Sequence, residues 1–161
     1  MSPDVRRPAR ATAAAERIHA TAITVGEAGI LIRGASGSGK SSLALALIGL
    51  ARQSGRFARL VADDRVAVSA AGERLLARPV APLEGIVERR GLGLTPEPFT
   101  GAAVVRLAVD LIGEEPVRMP EPEDLVDSLA GVDLPRLRVA GRPGDERLVL
   151  AALDLFTEPG S

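Results

Sequence analysis

The chain contains no cysteine, no tyrosine and no tryptophan, and its only aromatic residues are three phenylalanines. Without thiols there are no disulfides, no thiolate metal sites and no cysteine nucleophile, a composition compatible with a reducing cytosol. With so few rings, the core must be built from Leu, Val, Ile and Ala. The same scarcity argues against a base-stacking platform for single-stranded nucleic acid. Neither sign of charge is in excess: 20 Lys and Arg stand against 21 Asp and Glu, a formal net charge of −1. With no basic surplus, nucleic acid and an anionic membrane surface are not expected partners. Long apolar runs are also missing. The longest, Leu43–Ala51, is too short to span a bilayer. Met1–Ala15 carries arginines and an alanine run where a signal peptide would carry an apolar segment. Together these absences point to the cytoplasm.

At 161 residues, 46% hydrophobic and 25% charged, the chain is the size and balance of one globular domain. Residues 1–15 read as a disordered lead and 16–157 as the domain proper. Glu16–Val25 alternates loosely and reads as a strand, with Gly26–Gly29 as a turn. Gly29–Arg33, with three apolar residues in a row, reads as a buried strand pairing back on the first. Lys40–Arg52 is apolar nearly all round and reads as a buried helix. Ala58–Ala62 is a short apolar strand leading into Asp63 and Asp64. Arg65–Ser69 and Glu73–Ala77 form a hairpin about Ala70-Ala71-Gly72. Gly85–Glu88 reads as a strand, Thr95–Phe99 as irregular and exposed, and Ala102–Leu111 as a strand. Glu123–Ala130 is expected as a short helix, Leu134–Val139 as a strand and Glu146–Phe156 as a closing helix. The mixture is α/β, with more hairpins than a plain βαβ succession.

Gly34-Ala35-Ser36-Gly37-Ser38-Gly39-Lys40-Ser41 matches G-x-x-x-x-G-K-[ST]. Glycines let the backbone turn successive N–H groups toward one anion, and the helix that follows adds its positive end. Lys40 supplies a mobile ammonium for the β and γ phosphates. The Ser41 hydroxyl suits Mg²⁺, a hard cation that prefers oxygen. A chance glycine-rich turn would not need an apolar strand before it and a long helix after it; this loop has both.

Asp63 and Asp64 end a short strand, where a carboxylate can bind Mg²⁺ or accept the proton of an attacking hydroxyl. Neighbours on a strand point to opposite faces, so the two can do different work. A turn cap is the plain alternative. Glu88-Arg89-Arg90-Gly91-Leu92-Gly93 mixes both charges with glycines, and spacing alone does not separate it from a solvated loop. His19, the single histidine, reads on its own more readily as a half-buried strand residue than as a catalyst, since its chemistry depends on its neighbours.

Taken together, His19, the loop GASGSGKS, the stretch LVADDRVAV and the stretch IVERRGLGL resemble the catalytic, C-terminal domain of the HPr kinase/phosphorylase family, in a short form without its N-terminal domain. The likeness covers roughly Glu16 to Leu111. It implies an α/β P-loop fold akin to phosphoenolpyruvate carboxykinase, with a mixed sheet and hairpins, assembled as a hexamer. It implies an ATP- and Mg²⁺-dependent protein-serine kinase acting on an HPr-like phosphocarrier of a bacterial phosphotransferase system, with phosphorolysis as the reverse reaction. By the same resemblance, Gly34–Ser41 and Ser42 bind nucleotide, and Ser41 and Glu88 hold the metal. Asp64, with Asp63 as rival, takes the serine proton. His19, Lys40 and Arg90 complete the site, with Arg118 as a further arginine after Leu111. Ser42 stands where the family often has Glu, and its Pro-Gly-Arg-Asn segment appears only as Arg142-Pro143-Gly144-Asp145, which counts against phosphorolysis. A small-metabolite kinase lacks its usual arginine-rich lid here. A nucleotide sensor without turnover would not need Asp63, Asp64 and Glu88.

Overall fold

Three parallel strands carry the loops that meet at one edge of the sheet. They are β2 (Ala28–Gly34), β8 (Ala103–Leu111) and β10 (Val132–Val139). Register sets Gly34 beside Leu111, and Leu111 beside Val139. The segments after these strands therefore leave the sheet side by side, at the carboxyl ends where open α/β sheets bind ligands. The computed structural model describes residues 14–157; most of the expected lead, residues 1–13, lies outside them.

The eight-stranded sheet is otherwise antiparallel. β1 (Glu16–Val25) pairs with β2 along one edge. Its other edge is shared by β4 (Arg65–Ala71) in its first half and β3 (Ala58–Ala62) in its second. β8 is shared in the same way: β5 (Arg74–Pro79) takes its start and β10 its end. The ring β2–β1–β4–β5–β8 closes on itself through the β2–β8 pair.

This splaying divides the apolar residues into two cores. One lies between the open half of the sheet and the helices α1 (Lys40–Gln53) and α2 (Asp145–Thr157), around Ile30, Ile32, Leu47, Leu107 and Leu153. The other fills the closed half, around Leu31, Val61, Val66 and Leu75. Ile30, Leu31 and Ile32 are buried on both faces of β2, which is why that strand reads as an unbroken apolar run.

Two expectations are corrected. Glu123–Ala130 is not a helix. A short 3-10 turn, Pro122–Leu125, is closed by a capping box between Glu121 and Asp124 and gives way to strand β9 (Val126–Leu129). β9 folds back on β10 across Ala130-Gly131, so pairing with Val132–Pro135 overrides local helix preference. Thr95–Phe99 is not simply irregular and exposed either. β7 (Gly93–Pro96) pairs with β6 (Ile86–Arg89) in a separate two-stranded hairpin, and Glu97 just beyond it is buried.

Asp127 on β9 owes its place to Arg33 at the end of β2. Arg33 Nη2 donates to Asp127 Oδ2 at 2.7 Å, while its Nε and Nη2 hold both oxygens of Asp110 on β8 at 2.7 and 2.9 Å. Burial alone would pull the Arg33 guanidinium down, but the hydrogen bonds and charges of the two aspartates outweigh it, and its pKa is raised. The Arg33 hydrogen bond in turn holds Asp127 below its usual value of 3.8. A carboxylate depressed in the folded state stabilises above its unfolded pKa, and that contribution fades as pH falls through the folded one. Asp127→Asn should therefore lower the thermal midpoint at neutral pH, with the gap to wild type narrowing through and below the ordinary aspartate range. Melting curves across pH 7 to 3 check this.

Candidate active site

The loop between β2 and α1 turns on Gly39, whose φ of 103° lies in the left-handed region and would strain any side chain. Ser38 N donates to Ala35 O at 3.0 Å, tightening the bend. The first amides of α1 have no partner within the helix, so the loop and the helix start offer N–H groups and a positive helix end to an anion.

Lys40 is the first residue of α1 and is buried although it carries a charge. Its ammonium is held by Gly34 O and Ala35 O, both at 3.0 Å, and by His19 Nε2 at 3.3 Å. An ammonium has only donors, so Nε2 accepts and the ring proton belongs on Nδ1. Nδ1 lies 3.1 Å from Asp64 Oδ1. Lys40, His19 and Asp64 thus form one relay from the P-loop to an exposed carboxylate. β1 makes this possible: Ala20 N donates to Asp64 O, fixing the bend after β3 beside His19.

The two aspartates diverge more than strand alternation would make them. Both sit in the bend between β3 and β4, and Asp64 has a φ of 66°. Asp63 turns inward: its Oδ1 accepts from Ser41 Oγ at 2.6 Å and from Thr21 Oγ1 at 2.9 Å, and its Oδ2 accepts from Glu88 N at 3.2 Å. Asp64 turns outward to His19, with its side chain 64% exposed. One carboxylate is committed to the P-loop serine and the other stays open to an incoming group.

A cavity of about 600 Å³ joins these groups. Gly37, Gly39, Lys40 and Ser41 form one wall, Asp63 and Asp64 another, and Glu88 and Arg90 of the β6–β7 hairpin a third. Among the described residues no three His, Asp or Glu side chains form a metal cage. Ser41, Asp63 and Glu88 line the cavity with oxygen donors of the hard kind that could hold Mg²⁺ together with phosphate oxygens. The sequence left both metal binding and proton acceptance open to Asp63; its hydrogen bond from Ser41 sets it on the P-loop side. Arg118 is exposed on the connection after β8 and does not line this cavity.

Sequence reasoning missed Glu97, which fixes the hairpin that carries Glu88 and Arg90. Its carboxylate, 7% exposed, accepts from Arg89 Nη2 at 2.8 Å and Arg52 Nη1 at 3.4 Å, and its amide donates to Gly85 O. The end of the P-loop helix is thereby tied to the hairpin. Glu97→Ala removes a buried acceptor of two charged donors and should cost about 1–3 kcal/mol, read as a lower thermal midpoint. The only local signal was an acidic residue between two prolines, and its partners come from separate segments.

A family model described as the HPr serine kinase C-terminal domain matches residues 10–110. The chain is 33% identical over 138 residues to the HPr kinase/phosphorylase of Enterococcus faecalis, covering 79% of this chain and 42% of that protein. Against the HPr kinase/phosphorylase of Streptococcus equinus it is 35% identical over 140 residues, covering 79% and 43%. It therefore spans well under half the length of these curated relatives. The solved structure of the HPr(Ser) kinase/phosphatase from Coxiella burnetii shares the fold, with a TM-score of 0.65 at 23% identity over 85% of this chain and 86% of that one. On the match across the P-loop, the paired aspartates and the β6–β7 hairpin, the chain belongs to the HPr serine kinase C-terminal domain family.

Proposed function

We propose that residues 16–157 form a catalytic domain that transfers the γ-phosphoryl group of ATP to a serine of an HPr-type phosphocarrier protein. The observation that carries this reading is the opposition, across one cavity, of the Lys40 ammonium and P-loop on one side and the exposed Asp64 carboxylate on the other. Binding needs only the first; the second is what a hydroxyl acceptor requires. The names of the relatives support a carrier protein as that acceptor.

In this reading the loop amides and Lys40 bind the β and γ phosphates, and the ammonium exchanges loop carbonyls for phosphate oxygens. Asp64 accepts the serine proton as the serine oxygen bonds to the γ phosphorus and the bond to the β-phosphate oxygen breaks. His19 Nδ1–H orients Asp64. Arg90, at the cavity edge, offsets charge on the transferring group. Ser41, Asp63 and Glu88 would hold Mg²⁺, which when bound supplies charge neutralisation for the phosphate oxygens. The absence of any described helix long and apolar enough to cross a membrane fits a carrier met in solution.

The test is incubation with ATP, Mg²⁺ and purified HPr-type carriers, read by intact mass and site mapping. One added phosphoryl group on a serine is expected. Nucleotide bound or hydrolysed with no carrier modified would overturn the kinase reading and leave a nucleotide-dependent module.

A further inference from the structure

The outward face of β1 runs on from the active site into a cluster of arginines. Side chains alternate along a strand, and Ile18, Val66, Val68 and Ala77 point into the closed core. Arg17 and His19 on β1, Arg65 and Ala67 on β4, and Arg78 on β5 alternate with them and point outward. Thr21, which donates to Asp63, continues the same face of β1. Register sets Arg17 beside Ala67, Ala67 beside Arg78, and Arg65 beside His19. Neighbouring strands stand about 4.8 Å apart and a two-residue step covers about 7 Å, so the three arginines rise from a patch about 10 Å across that begins at His19.

We propose that Arg17, Arg65 and Arg78 are a docking surface for carboxylates of the carrier protein, next to the serine it presents to Asp64. The proposal rests on the kinase reading above and adds to it the charge of the surface that the partner brings.

These arginines differ from most others in the chain. Arg33, Arg52, Arg56, Arg89 and Arg138 each pair with a carboxylate. Arg17, Arg65 and Arg78 are exposed, and none has a hydrogen bond or ion pair among the described residues. The outward positions of β4 and β5 carry no Asp or Glu. With a net charge of −1 over the whole chain, the cluster is a local arrangement and not the overflow of a basic protein. Gathering like charges on neighbouring strands costs stability, and carboxylates of a partner would offset that cost.

The position of the patch selects the occupant. None of the three arginines lines the cavity beside the P-loop, so the nucleotide is not their counter-ion. Asp64, the group open to an acceptor, is 64% exposed and turned toward His19, at the edge of the patch. A protein hydroxyl that reaches Asp64 brings the surface around it over this face. The guanidinium fork matches carboxylates in geometry, and an unscreened cluster of one sign raises the rate of encounter with an oppositely charged partner.

Two measurements test this. The first is transfer to a purified HPr-type carrier by wild type and by the double variant Arg17→Gln/Arg78→Gln, at low and high salt. Arg65 is left in place because it adjoins Asp64. At low salt the double variant should raise KM for the carrier by about tenfold, with kcat and KM for ATP unchanged. The gap should close at about 0.5 M salt, where exposed charges are screened; a purely structural defect would persist there. The second needs no variant: arginine modification by phenylglyoxal, mapped by mass spectrometry. The carrier should protect Arg17, Arg65 and Arg78 and leave Arg106, exposed elsewhere on the sheet, reactive. An unchanged carrier KM in an active double variant, a loss equal at both salt concentrations, or no protection of the three arginines overturns the docking surface while the kinase reading stands. Protection that needs no carrier and grows with protein concentration would assign the face to a second copy of the chain and overturn it as well. Failure of wild type to phosphorylate any carrier removes the kinase reading, and this surface with it.

Discussion

Lys40→Ala is expected to slow phosphoryl transfer to a carrier protein by about a hundred- to a thousandfold, the range for losing one preorganised donor to a developing charge. The reason is local. All three of the ammonium's donors are placed, on Gly34 O, Ala35 O and His19 Nε2, so the group is held at the mouth of the loop rather than free in solvent. Lys40→Arg should rescue little, because a planar fork does not replace a compact ammonium packed at 6% exposure. ATP affinity should fall along with the rate, since the same contact serves ground and transition states. Stopped-time transfer assays beside direct nucleotide binding separate the two. Unimpaired transfer in Lys40→Ala would place the chemistry elsewhere.

Asp64→Asn should have a comparable effect on rate with a different signature. In the proposed role of general base its loss should cost about a hundred- to ten-thousandfold, and Asp64 touches His19 rather than the P-loop. Nucleotide affinity and Mg²⁺ requirement should therefore stay near wild type while transfer collapses. Asp63→Asn should do the reverse in part. It weakens the grip on Ser41, Thr21 and Glu88 N, so the Mg²⁺ concentration for half-maximal activity rises. The pair of variants, assayed over a Mg²⁺ series, assigns the roles. A Mg²⁺ shift in Asp64→Asn with none in Asp63→Asn would exchange them.

The readable parts of the sequence were those with local causes. Gly34–Ser41 declares itself because its backbone demands are written in glycines and because β2 and α1 flank it. Hairpin β4–β5 was visible in the two short segments that flank the turn Ala70-Ala71-Gly72. The division of labour between Asp63 and Asp64 was only half visible. Two adjacent carboxylates suggested separate tasks, but which faced Ser41 depends on the left-handed turn at Asp64, set by pairing with Ala20. Strand β9 was hidden because Glu123–Leu129 has acceptable helix composition, and only the β10 partner decides against it. Burial of Glu97 was hidden for a similar reason: Arg52 and Arg89 come from an earlier helix and a neighbouring strand. Closure of the β2–β8 pair joins residues far apart in the chain, which no local pattern encodes.

Phosphorus NMR of ATP with Mg²⁺, titrated with the protein, tests the central claim most directly. The β and γ resonances of wild-type mixtures should shift or broaden in proportion to protein, and Lys40→Ala should abolish most of that change. Unperturbed β and γ lines at saturating wild-type protein would mean that the loop between β2 and α1 does not hold a triphosphate.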